Sequence, residues 1–478
     1  MPSRMCPRLI VAGLSGGSGK TIVSLGLGRA FVESGKIVQP FKKGPDYIDA
    51  NWLGLSCQES TSNLDPFLFS SDLIRALFKA RTITCDLALI EGNRGVFDGK
   101  NTSGTCSTSE LARILNCPVL LVVDCTKITR TMAAVIKGCQ AFEPDMHLAG
   151  VILNRTAGDR HRAIIRDSIT AYTDVPVLGA LPKIRHNPIP ERHMGLTSDR
   201  EMESGTVLFS DLARIIRETC DLEAIWSVAC AAPPFLDSQL SLFPEAVGRN
   251  QNVTIGFVRD AALWFYYREN LEALEAQGAK LVQVSLLEPN EWPELDGLYL
   301  GGGFPETMAD KLAEQETIRQ RVKDLSDSGL PIYAECGGFM YLGRSLVYGD
   351  RTYPMAGVFP VTTRLCHRPQ GHGYTEASVV VPNPFFQVGF TFSGHEFHYS
   401  TCQFHDGINP IYVLKMSMGV GMDSGHDGLV HENTYASYTH LHALGVPGWA
   451  VNFVNASRAF QRSKKNFDKL KKFVAKSA

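Results

Sequence analysis

One stretch constrains this chain more than any other: Gly13-Leu14-Ser15-Gly16-Gly17-Ser18-Gly19-Lys20-Thr21. An apolar run, Leu9-Ile10-Val11-Ala12, leads into it, and a helix-like stretch, Ile22 to Glu33, follows. Strand, glycine loop, Lys-Thr and helix is the order of a phosphate-binding loop. Glycines let successive backbone N–H groups turn toward an anion, and the new helix adds the positive end of its dipole. On this reading Gly16, Gly17, Ser18, Gly19, Lys20 and Thr21 bind ATP. Lys20 holds the terminal phosphates, and the Thr21 hydroxyl is a ligand of Mg²⁺. Five residues separate Gly13 from Gly19, one more than the common spacing. The bland alternative is a glycine-rich turn with an incidental Lys-Thr. The agreement of strand, glycines, Lys-Thr and helix weighs against it.

Apolar runs and helical patterns alternate through the first half. Expected strands are Leu9–Ala12, Ile37–Phe41, Leu87–Ile90, Val119–Val123, Leu148–Leu153 and Val177–Leu181, with helices such as Thr126–Cys139 and Arg160–Ala171 between them. Continuous apolar runs fit a parallel sheet buried on both faces. This predicts a doubly wound α/β domain, which binds ligands at the carboxyl ends of its strands. Those ends carry Lys42-Lys43-Gly44-Pro45-Asp46-Tyr47-Ile48-Asp49, then Glu91-Gly92, Asp98, Asp124 and Asn154-Arg155. Any single charge reads best as a solvated loop. Carboxylates at successive strand ends beside a phosphate loop point instead to a metal–nucleotide–substrate site.

The chain's 478 residues suffice for two or three cores, and a net charge of -2 gives no reason to expect a nucleic-acid partner. The twelve cysteines show no CxxC pair. Without an export signal they are expected to be reduced thiols in a cytoplasmic protein. No apolar stretch is long enough to span a membrane. Paired prolines at Pro233-Pro234 and lost periodicity mark a linker over 232–252, between a first domain at 1–231 and a second at 253–460. A basic tail, 461–478, follows as a helix or frayed end.

The second half starts a new α/β pattern at Val253, with a helix over Asn270–Gly278 and a strand over Leu281–Val284. Gly301-Gly302-Gly303 follows an apolar strand, exposing N–H groups able to form an oxyanion hole. Pro331-Ile332-Tyr333-Ala334-Glu335 then meets Cys336-Gly337-Gly338, the order of a nucleophile elbow. A helix start is expected to lower the thiol pKa. A lone buried cysteine acting as a small hydrophobe is the usual reading, but the upstream glycines and the elbow order argue against it here. His395-Glu396-Phe397-His398 is HExH in strand-like sequence and lacks the spacing of a helical zinc motif. His440 and His442 alternate on an expected strand, so that one of them can serve Cys336.

These motifs carry a resemblance over nearly the full chain. The loop with the extra residue resembles that of dethiobiotin synthetase and its relatives, which use ATP to activate a carboxylate. Pro40 to Asp49, Glu91 to Gly99 and Pro190-Glu191-Arg192-His193-Met194-Gly195-Leu196 are similar to the cobyrinate a,c-diamide synthase family, which amidates a corrin-type macrocycle. Gly301 to Glu306, Ala334 to Gly338 and Tyr438-Thr439-His440 resemble a class I glutamine amidotransferase domain of the cobyric acid and cobyrinate synthase type.

The resemblance implies two doubly wound α/β domains, an ATPase-like one and an amidotransferase. It implies Cys336 and His440 as the catalytic pair and Gly302, Gly303 and Gly337 as the oxyanion hole. It places Thr21, Asp46 and Glu91 at the metal, Asn154 at the adenine, and Lys42, Lys43, Asp46, Tyr47, Glu91 and Asp98 at carboxylate activation. Glutamine, ATP and a tetrapyrrole carboxylate are the implied substrates, Mg²⁺ the cofactor and a homodimer a compatible assembly. Position 442, where the class I triad has Glu, holds His442, so the residue orienting His440 stays unassigned. Hydrogenobyrinate, Ni-sirohydrochlorin and the cobyric acid synthase reaction remain open. A partitioning-type P-loop ATPase needs neither the elbow nor the second domain.

Overall fold

The computed structural model describes residues 6–184, 199–243, 253–288, 292–405 and 408–477, and only the backbone of 199–206 and 467–477. The Pro190 to Leu196 motif lies outside the described residues. The chain divides into two compact units, residues 1–192 with 198–242, and residues 193–197 with 243–478.

In the first unit β1 (Arg8–Gly13), α1 (Lys20–Glu33), β2 (Val38–Lys43), α2 (Ile48–Cys57), β3 (Ser62–Leu64), α3 (Ser71–Arg81), β4 (Leu87–Glu91) and α4 (Thr108–Ile114) come first. They are followed by β5 (Val119–Asp124), α5 (Thr131–Phe142), β6 (Leu148–Thr156), α6 (Asp159–Tyr172), β7 (Val177–Pro182), α7 (Asp199–Thr219) and α8 (Leu222–Cys230). The strands form one parallel sheet in the order β3-β2-β4-β1-β5-β6-β7. Its centre explains the apolar runs: Leu9–Val11 and Leu87–Ile90 are fully buried. Each Leu, Ile or Val side chain among them contributes roughly 1.5–3 kcal/mol of burial free energy. All six expected strands form. β3 was not expected, because Ser62-Asn63-Leu64 is short and polar.

Polar caps set helix starts locally. Ser107 accepts the Glu110 N–H at 3.1 Å, and Ser70 and Asp221 cap α3 and α8 in the same way. The described part of the expected linker lies against this unit: Asn116 donates to the Pro234 carbonyl at 2.8 Å, and Lys79 pairs with Asp237 at 2.7 Å.

The second unit runs β8 (Val253–Val258), β9 (Leu263–Phe265), α9 (Arg268–Ala276), β10 (Ala279–Val284), β11 (Gly297–Leu300), β12 (Gly302–Gly303), α10 (Ala309–Glu314), α11 (Glu316–Asp327), β13 (Ile332–Glu335) and α12 (Gly337–Leu342). After these come β14 (Gly343–Tyr348), β15 (Arg351–Pro354), β16 (Phe359–Leu365), β17 (Gly371–Val379), β18 (Thr391–His398), β19 (Ser400–Phe404), β20 (Leu414–Met418), β21 (His426–Asp427), β22 (Leu429–His431), β23 (Thr434–Ser437) and α13 (Gly448–Ser477). The main sheet has the order β10-β8-β11-β13-β23-β22, parallel except for its last pair.

Two further four-stranded sheets, β15-β14-β16-β19 and β18-β17-β20-β21, are largely antiparallel. They stand beside the mostly parallel main sheet of the expected α/β domain and were not expected from the sequence. Half-buried antiparallel strands alternate in polarity, so they leave no continuous apolar run. The expected tail is helical: it forms the end of α13, which runs unbroken across position 460.

Candidate active sites

In the first unit the loop after β1 is shaped by close approach. A Cβ on Gly13 would lie 2.1 Å from Ser18 Oγ, and one on Gly19 (φ 98°) would lie 2.1 Å from Asn154 Nδ2. Ser15, Gly16 and Gly17 form the exposed tip, while Ser18 and Lys20 are buried. Lys20 Nζ donates to the Ser15 carbonyl at 3.2 Å, folding the lysine back along the loop. Burial lowers the Lys20 pKa, with the Lys42 charge acting the same way.

Beneath the loop runs a chain of polar contacts. The Thr21 hydroxyl donates to Glu91 Oε1 at 2.7 Å. Lys42 Nζ lies 3.1 Å from the same oxygen and 2.7 Å from Asp49 Oδ2. The parallel register Lys42↔Glu91 brings these groups together. Burial pushes Glu91 up to about 7, with Lys42 opposing. Burial alone would lower Lys42, but Glu91, Asp49 and Asp46 hold it above its ordinary range.

Asp46 accepts the Asp49 N–H at 2.9 Å, and burial and Asp49 raise its pKa. Lys43 is buried and Tyr47 half-buried. Asp98 is exposed and accepts the Gly95 N–H at 2.9 Å. Asn154 donates to the Ser18 carbonyl at 2.9 Å and accepts from the Arg155 N–H at 2.9 Å, so its amide braces the loop from β6.

Among the described residues no group of three or more His, Cys, Asp or Glu could hold a metal ion. Mg²⁺ needs less: one or two carboxylates with nucleotide phosphates and water. Glu91 Oε2 is buried without a hydrogen-bond partner, beside the Thr21 hydroxyl, and that oxygen fits a bound cation. Asp49, noted in the sequence at this strand end but given no role of its own, joins this chain through Lys42.

In the second unit Cys336 stands at φ 46°, ψ −100°, between β13 and α12. A non-glycine residue held there costs on the order of 1–3 kcal/mol and is typical of functional positions. Gly337 and Gly338 follow because nothing larger fits: a Cβ on Gly337 would lie 2.9 Å from Gly303 N, and one on Gly338 2.4 Å from Leu300 O. The glycine triplet is therefore packed against the elbow. Gly302 and Gly303 form β12, paired with β9.

The thiol is not lowered as expected. Burial pushes it well above its ordinary range, the Glu306 charge adds to this, and α12 is only six residues long. The thiol donates to the Phe397 carbonyl at 3.6 Å. A protonated resting cysteine needs a base.

β23 is the strand beside β13, and the Cys336 N–H donates to the Ser437 carbonyl at 2.7 Å. The strand ends at Ser437, so His440 and His442 do not alternate on it as expected. His440 is instead held by backbone hydrogen bonds with His395, at 2.8 and 3.1 Å, and by ring stacking at 4.8 Å. A Cβ on Gly302 would lie 2.5 Å from His440 Cε1, which places the imidazole at the glycine triplet. His440 Nδ1 lies 3.5 Å from Glu335 Oε2, and His442 Nε2 3.4 Å from Glu269 Oε2. Burial, His440 and His442 hold His395 well below the usual imidazole pKa, hence neutral. The HExH motif lies on β18; His398 stacks on Tyr438 at 3.7 Å.

A phosphate-loop α/β unit and a second unit with a cysteine elbow and a buried histidine at its glycine triplet define an ATP-using glutamine amidotransferase, a glutamine-hydrolysing carbon–nitrogen ligase. Residues 9–196 match the CobQ/CobB/MinD/ParA nucleotide binding domain, and residues 254–447 match the CobB/CobQ-like glutamine amidotransferase domain. The chain is 37% identical over 455 residues to the cobyrinate a,c-diamide synthase of Magnetococcus marinus, covering 94% of this chain and 97% of that protein. The protein of that name from Archaeoglobus fulgidus is also 37% identical, over 94% and 97% of the two chains, and that from Listeria innocua 36%, over 94% and 99%. The chain belongs to the cobyrinate a,c-diamide synthase family. Among the described residues no helix is long and apolar enough to cross a membrane.

Proposed function

We infer that the protein amidates the a and c acetate carboxylates of cobyrinate, with ATP and glutamine-derived ammonia, in cobalamin biosynthesis. The observation that carries this reading is the Thr21–Glu91–Lys42–Asp49 chain under a phosphate loop, buried at Glu91 and Lys42, in a protein that also holds the Cys336 elbow. The names of the relatives supply the macrocycle.

In the glutaminase half-reaction the Cys336 proton passes to His440 as sulfur attacks the glutamine amide carbon. Backbone N–H groups of Gly302, Gly303 and Gly337 receive the oxyanion. The C–N bond breaks, and His440 returns the proton to the departing ammonia. Water then cleaves the thioester, giving glutamate and the free thiol.

In the synthetase half-reaction the phosphates of ATP lie on Gly16 to Thr21, and Asn154 meets the adenine. A substrate carboxylate oxygen attacks the γ-phosphorus and ADP leaves. Ammonia then attacks the acyl carbon and phosphate leaves. Lys42, Lys43, Asp46, Tyr47 and Asp98 hold and orient the reacting carboxylate. Thr21, Glu91 and Asp46 would hold Mg²⁺, which when bound neutralises charge on the phosphates.

The test is incubation with ATP, Mg²⁺ and glutamine in parallel arms containing cobyrinate, hydrogenobyrinate or Ni-sirohydrochlorin, read by mass spectrometry. Two successive amidations of cobyrinate are expected. Product only in another arm would reassign the macrocycle, and amidation elsewhere than a and c would indicate the cobyric acid synthase reaction.

A further inference from the structure

The carboxylate that a class I triad places two residues after its histidine is absent here, since that position is His442. Among the described residues of this unit there are three buried Glu–His pairs: Glu335 with His440, Glu269 with His442, and Glu396 with His398. Only the first of them involves His440.

Glu335 closes β13, immediately before the nucleophile, and is fully buried. Among the described residues no lysine or arginine pairs with it. Its oxygens instead accept from the Tyr299 hydroxyl at 3.1 Å and the Leu441 N–H at 3.2 Å. The second bond ties the carboxylate to the residue after His440, so acid and imidazole are fixed to the same short segment. A buried anion with only neutral donors around it is costly. The unit has kept one where it can favour a proton on the ring that serves Cys336.

We propose that Glu335 is the positioning residue of the glutaminase site, replacing the missing triad carboxylate from the strand that carries the nucleophile. It engages His440 Nδ1, selects the tautomer with Nε2 as the base, and stabilises the imidazolium formed when the Cys336 proton is transferred. At 3.5 Å the contact is longer than the roughly 2.6–3.2 Å of a tight catalytic hydrogen bond, and such contacts commonly shorten when substrate binds. Glu269, on His442, has no part in this.

The proposal rests on Cys336 and His440 being the glutaminase pair, so the test includes Cys336→Ala. Glutaminase kinetics and ammonia-dependent synthesis are measured for the wild-type enzyme and for Glu335→Gln, Glu335→Asp and Glu269→Gln. Glu335→Gln keeps the shape: its carbonyl oxygen can still accept from the Leu441 N–H, while its amide NH2 takes the place of Oε2 facing the Tyr299 hydroxyl and His440 Nδ1. Its glutaminase kcat is expected to fall by roughly 10²–10⁴-fold, as when a triad carboxylate becomes an amide. The KM for glutamine should change little, and ammonia-dependent synthesis should stay within about twofold of the wild type. The acidic limb of its residual pH–rate profile should move to lower pH, because the imidazolium loses its anion. Glu335→Asp should recover part of kcat.

Glutaminase retained within about threefold in Glu335→Gln, or a parallel loss of ammonia-dependent synthesis, overturns the assignment. So does a larger kcat loss in Glu269→Gln than in Glu335→Gln. Glutaminase surviving in Cys336→Ala would sink the underlying reading of the site instead.

Discussion

Glu91 and Glu335 each close a strand whose preceding residues are apolar and fully buried. A carboxylate in that position is expensive unless partners wait for it at the sheet's carboxyl edge. For Glu91 they are Thr21 and Lys42, and for Glu335 they are Tyr299, Leu441 and His440. Glu91 was legible in the sequence because a phosphate loop lay upstream. Glu335 gave the same signal, an acid ending an apolar run, but the nucleophile beside it and the expected triad position at 442 drew the reading elsewhere. Its link to His440 spans more than a hundred positions and comes from strand pairing, which no local pattern reports.

At the same scale, Gly19 has a positive φ and no room for a Cβ against Asn154. Gly19→Ala should distort the loop at a cost of about 1–3 kcal/mol, weakening nucleotide binding by roughly ten- to a hundredfold. Isothermal titration with a non-hydrolysable ATP analogue checks this. Unchanged affinity would mean that the loop does not hold the phosphates.

Among elements, α1 links the phosphate loop to the rest of its unit. Gly26 lets it approach α7 closely: a Cβ there would meet Ile216 Cγ1 at 2.5 Å. At the far end Glu33 binds Arg29 at 2.8 Å, Ser210 at 2.9 Å and Arg217 at 2.5 Å. Burial works to raise the Glu33 pKa, but these hydrogen bonds bring it down to about 2. A carboxylate with a depressed native pKa stabilises the fold above its unfolded value of 4.5 and loses that contribution as pH falls toward 2.

Glu33→Gln should therefore cost about 1 kcal/mol at pH 7, a small figure because the group is partly exposed, and progressively less in acid. Urea unfolding at pH 7 and pH 3 reads the difference. A cost independent of pH would show that charge plays no part. The elements themselves were mostly legible. Continuous apolar runs mark the buried parallel strands, and amphipathic spacing marks Asp211–Ile216 within α7. β3 and the two antiparallel sheets were not, because short or alternating strands resemble loops until they have partners.

At the scale of the whole molecule, the account divides one amidation between two chemistries. In the proposed reaction the first unit makes a carboxylate electrophilic and the second releases nitrogen. Lys20→Ala should abolish synthesis from glutamine and from ammonia alike, and synthesis surviving in that variant would remove the phosphate loop from the mechanism. The most direct measurement of the division uses Cys336→Ala with cobyrinate, ATP and Mg²⁺, supplied with either glutamine or an ammonium salt, and amide product is counted by mass spectrometry. The account predicts no product from glutamine and near wild-type product from ammonia. Product from glutamine, or none from ammonia in the folded variant, would contradict it.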